Sequence, residues 1–83
     1  MNRLFKKAFT ELQALGCPVF QRDDHDGFFV SGEETASWEW ADYYHARADW
    51  QYETTSPKLD QVLHQHGLFA EWQNPSCLIV HIA

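Results

Sequence analysis

Between Trp38 and Tyr52 the chain sets six aromatic rings in fifteen residues: Trp38, Trp40, Tyr43, Tyr44, Trp50 and Tyr52. This concentration constrains the fold more than any other feature. A chain of 83 residues has a small interior, because at this size folding hides only about 60 to 65% of the surface exposed when unfolded. The thirteen aromatic residues of the whole chain exceed what so small a core can easily hide. Trp and Tyr combine a broad apolar face with a polar tip and favour half-wet places such as interface anchors, pocket walls and core rims. The six rings are therefore the candidate binding residues, with Glu39, Asp42 and Asp49 as a polar rim around them.

Two helices are legible on either side of this segment. In the first, Leu4, Phe5, Ala8, Phe9, Leu12 and Leu15 recur at helical spacing, with Lys6, Lys7, Glu11 and Gln13 on the other face. Asn2 is a natural N-cap, Gly16 a C′ residue, and Pro18 prevents continuation. The second helix is announced by Ser56 and Pro57, a capping hydroxyl followed by a residue preset for the first helical position. Leu59, Val62, Leu63 and His66 supply its stripe and Gly67 its stop.

Between and after the helices lie β-prone runs. Val19 to Arg22 and Phe28 to Ser31 flank the turn-forming stretch Asp23 to Gly27, which predicts a hairpin. Leu68 to Trp72 and Cys77 to Ile82 flank a second turn at 73–76, and the last run reads as a central or well-covered strand. The aromatic segment fits two templates. As a strand, Trp38, Trp40, Asp42 and Tyr44 share a face; as a helix, Ala36, Trp40, Tyr43, Arg47 and Trp50 form the stripe. Trp and Tyr favour strands and 32–37 reads as a connecting loop, so the expectation for Trp38 to Tyr44 is a strand. The fold class that follows is α+β: a single small domain, residues 1–83, with two helices packed on one face of a mostly antiparallel sheet of four to five strands.

The net formal charge is −6, from twelve acidic and six basic residues. Such a balance repels phosphate backbones and anionic membrane surfaces, so neither direct nucleic-acid binding nor a membrane partner is expected. The charge is also segregated. Residues 1–22 carry a net +3 and residues 23–53 a net −8, with Arg47 the lone base among nine acids. A basic first helix lying across the acidic middle, within one chain or from a second copy, would account for this asymmetry.

No complete catalytic, metal or nucleotide motif is present, and no cofactor is expected. The acid-rich turn 23–27 fails the calcium-loop spacing, because Arg22 stands where the first ligand belongs. His64 and His66 are two apart and point about 200° from each other on a helix, so they cannot share an ion there. Cys17 and Cys77 lack metal or redox spacing and read as buried thiols. The first residues carry Lys6 and Lys7 within their apolar periodicity, unlike a signal peptide, and no apolar run is long enough to cross a membrane. A cytoplasmic location follows as the expectation.

Three functional readings arise. The first is a non-enzymatic module that binds a protein partner or a second copy of itself through the aromatic residues. The second is an acidic imitation of a nucleic acid that occupies a DNA- or RNA-binding protein, using Asp23, Asp24, Asp26, Glu33 and Glu34. The third is a small-ligand pocket or minor enzyme built on Asp42, Tyr44, His45 and Glu71, where a carboxylate near an indole could be tuned by desolvation.

Overall fold

A computed structural model describes residues 1–34 and 36–83. Helix α1, Arg3–Ala14, starts where the Asn2 Oδ1 accepts the Leu4 amide at 2.8 Å. It ends at Gly16, whose φ of +88° lets the Cys17 amide turn back to the Leu12 carbonyl at 3.0 Å while the Gly16 amide reaches Gln13. That pair of reversed bonds satisfies carbonyls the helix would otherwise leave open. Helix α2, Pro57–Gln65, is capped by Ser56, whose Oγ accepts the Leu59 amide at 3.1 Å. It stops at Gly67, also at positive φ.

Four strands form one antiparallel sheet: β1 Val19–Phe20, β2 Phe29–Ser31, β3 Leu68–Asn74 and β4 Cys77–Ile82, in the order β1-β2-β4-β3. The α+β reading and both hairpins stand, and β4 is central as its β-branched run implied. Alternation along the strands divides the side chains between two faces. Val19, Phe28, Val30, Leu68, Ala70, Trp72, Leu78 and Val80 point toward the helices, where Phe5, Ala8 and Leu12 of α1 meet Leu59, Val62 and Leu63 of α2. A hydrogen-bonded pair, His66 Nε2 and Glu11 Oε1 at 3.0 Å, ties the end of α2 to α1.

On the other face Phe20, Phe29, Ile79 and Glu71 form one row across the sheet, with His81 and Phe69 paired in the next. Phe20 stacks on Phe29 at 5.4 Å and the Arg22 guanidinium lies 5.0 Å above the same ring, which leaves Phe29 buried although no helix covers it.

The expected strand over Trp38 to Tyr44 does not form. Residues 32–34 and 36–56 belong to an irregular excursion between β2 and α2, with 3₁₀ turns at Ser37–Glu39 and Ala48–Trp50. It pairs with itself through bridges between Ala41 and Thr55 and between Arg47 and Glu53. The Asp42 amide donates to Thr54 at 2.8 Å and the Ser56 amide to Trp40 at 2.9 Å. Backbone groups of Glu39 to Asp42 that would have joined the sheet are thus paired within the excursion.

Candidate functional site

The excursion sorts its six rings into two classes. Trp40 and Trp50 are 2% and 6% exposed. Trp38, Tyr43, Tyr44 and Tyr52 are 59%, 44%, 74% and 75% exposed. Trp40 enters the core cluster under the α2 N-terminus, with the Lys58 ammonium 4.7 Å above its ring. Six anchors therefore reduce to four, and the two buried indoles serve as the footing beneath them. Tyr43 is itself propped, its ring edge-on to Trp72 at 5.2 Å and to Tyr44 at 5.2 Å. Trp72 in turn donates its indole N–H to Thr54 at 2.9 Å, which pins the return limb of the excursion to the sheet.

Arg47 organises the rest. Its guanidinium lies 4.0 Å from the Trp50 ring centre and 5.4 Å from that of Trp38. The fork engages both Asp49 oxygens, at 3.0 and 2.7 Å, and Nη1 donates to the Trp38 carbonyl. Only a planar, multiply donating cation can stack on an indole and grip a carboxylate at once. The Arg47 hydrogen bonds hold the Asp49 carboxyl below the ordinary aspartate value. Asp49, expected at the rim, is thereby already engaged.

The turn that follows carries Tyr52. Gln51 and Tyr52 both have positive φ, 58° and 64°, and the Glu53 amide donates to Trp50 at 3.1 Å. This is the pattern of a type I′ turn, whose central places normally belong to Asn and Gly. Non-glycine residues there cost about 1 to 3 kcal/mol each and persist where the surroundings over-determine them. At this turn the Tyr52 ring stands in solvent.

Beneath that turn runs an open groove of about 660 Å³ against α2. Trp50, Gln51, Glu53, Thr55, Pro57, Asp60 and His64 are among its lining residues. Burial lifts the Asp60 carboxyl above the ordinary aspartate value; the Thr55 hydroxyl, donating to both oxygens at 3.2 Å, and the neighbouring His64 oppose this, and Glu53 adds a smaller like-charge repulsion. A second groove, about 710 Å³, follows the outer side of α1 past Lys6 and Lys7 to His66.

No family model, curated protein or solved structure matches the chain. Function must be argued from the surface itself.

The residues of the ligand-pocket reading do not converge. Asp42 and His45 pair at 3.1 Å on the excursion, Tyr44 points to solvent, and Glu71 stands on the helix-free face of the sheet, 3.6 Å from His81. None of these four lines either groove just described. The acids of the mimic reading, Asp23, Asp24, Asp26, Glu33 and Glu34, are exposed, and Asp24 is held by Arg22 at 3.0 Å. Among the described residues no group of three or more His, Cys, Asp and Glu side chains could hold a metal ion, and no helix is long and apolar enough to cross a membrane. Sequence reasoning missed the roles of Arg47, Gln51 and Asp60. The one available signal was Arg47 as the sole base in an acidic stretch; positive φ at Gln51 and Tyr52 left no trace in residue type.

Proposed function

We propose that this chain is a non-enzymatic interaction module of a reducing compartment such as the cytoplasm, which docks a protein partner or a second copy through the 36–56 surface of the excursion. One observation carries the reading. Trp38, Tyr44 and Tyr52 are each more than half exposed on a segment whose buried Trp40 and Trp50 and stacked Arg47 hold it in place. Rings presented from a rigid base lose little freedom on binding, which is what makes aromatic anchors effective. Leaving three large rings wet has no benefit for the isolated fold. Cys17 and Cys77 are free and buried, which supports a compartment where thiols stay reduced.

The test compares the wild-type chain with a Trp38→Ala, Tyr44→Ala, Tyr52→Ala triple variant, in light-scattering mass and in partner recovery. Circular dichroism first establishes that the variant is folded. The reading expects loss of self-association or of the recovered partner. A folded variant that keeps both overturns it.

A further inference from the structure

We infer that the occupant of the groove beside Tyr52 is helix α1 of a second copy of this chain, with Lys6 and Lys7 set against Glu53 and Asp60. The inference rests on the preceding reading of the excursion as the binding surface and names what binds there.

The argument begins with the segregated charge. Within one chain the described residues of the basic first segment meet the acidic middle only at the segment's two ends, where the Met1 ammonium lies 3.9 Å from Asp26 and Arg22 pairs with Asp24 at 3.0 Å, and the cations of α1 take no part. Among the described residues, Arg3, Lys6 and Lys7 form no ion pair with any acid. The one salt bridge made by an α1 side chain joins Glu11 to His66. Because Phe5, Ala8 and Leu12 turn inward, Arg3, Lys7, Thr10 and Ala14, spaced i, i+4, i+7 and i+11, share an outward stripe with Lys6 beside it. The helix thus offers three cations, and Thr10 and Ala14 keep the stripe low enough to approach another surface.

The groove offers the complement. Its walls include the exposed Pro57 ring, against which a lysine can lay its four-carbon stem. Its carboxylates, Glu53 and Asp60, repel one another, and Asp60 is half-buried with only the Thr55 hydroxyl donating to it among the described side chains. An arriving ammonium group supplies the opposite charge that offsets both the repulsion and the cost of burying the Asp60 carboxylate. Each chain carries one helix and one groove, so two copies can exchange reciprocal contacts in a closed pair.

Two charge-reversed variants test this: Lys6→Glu with Lys7→Glu on the helix, and Glu53→Lys with Gln61→Lys in the groove. Both sets are exposed and leave Asp60 and Thr55 in place. Masses are measured over a concentration series at pH 8. The wild-type chain is expected to dimerise and to weaken about tenfold or more in raised salt. Each variant alone should lose at least about tenfold in dimer affinity, and the equimolar mixture should recover a dimer, one contact being native and the other charge-swapped. A wild-type monomer at all concentrations overturns the inference. So does a dimer that neither variant weakens, or a mixture that fails to recover. In each of these cases the triple aromatic variant decides separately whether the excursion is a binding surface at all.

Discussion

Arg47 shows how one side chain can replace a secondary structure. It stacks on Trp50, reaches toward Trp38, grips Asp49 and caps the Trp38 carbonyl, doing for the excursion what ladder hydrogen bonds do for a strand. Gln51 is the opposite case, a residue working against its own backbone preference at φ 58°. Replacing it with glycine removes the left-handed penalty while leaving Tyr52 in place. Gln51→Gly should stabilise the fold by about 0.5 to 1 kcal/mol, a rise of several degrees in Tm for a domain of this size, read by thermal unfolding. An unchanged or lower Tm would mean that the glutamine side chain has a compensating contact. Asp60 makes a second residue-scale prediction. Its folded carboxyl holds a proton more tightly than the unfolded one because burial outweighs the Thr55 hydrogen bond. The folded state therefore gains stability as pH falls through the folded value, and the gain is complete below the unfolded one. Relative to Asp60→Asn, the wild type should gain in urea midpoint on acidification just above the ordinary aspartate range. A pH-independent difference would place the carboxyl in bulk solvent.

At the scale of elements, the boundary of α2 depends on Ser56, which is buried and uses both its amide, toward Trp40, and its hydroxyl, toward Leu59. Ser56→Ala should cost about 1 kcal/mol, measured by denaturant titration; a cost near zero would show that another donor-acceptor pair closes the helix end. The elements with such end signals were the ones legible in advance. Asn2, Gly16, Ser56, Pro57 and Gly67 each act through their own covalent geometry, so α1, α2 and both hairpins could be read from the chain. The excursion could not. Its rings fitted periods of two and of 3.6 equally because neither period governs it. Which rings are buried depends on side-chain partners that no period encodes: Arg47 stacks on Trp50 and reaches Trp38, and Trp72 meets Tyr43 from a distant strand. By residue type alone Trp40 and Trp50 fall in one group with Trp38, Tyr43, Tyr44 and Tyr52, although the first two are buried and the other four exposed.

Across the whole molecule, two helices cover one side of a four-stranded sheet while the other side carries Phe20, Ile79, Phe69 and His81 without a helical layer. The core lies between sheet and helices, and the excursion closes it at the Trp72 end. The two thiols lie on opposite sides of this architecture: Cys17 within the helix-side cluster and Cys77 at the start of β4, alternating away from Leu78. Burial pushes the Cys17 thiol up to about 12 and raises that of Cys77 as well. At pH 8 the folded molecule therefore holds about a thousandfold less Cys17 thiolate than an ordinary cysteine would. Alkylating reagents become a stopwatch. Equal rates of modification at the two sulfurs would mean that the protein opens all at once, whereas a faster Cys77 would show the sheet fraying while the helical layer stays shut.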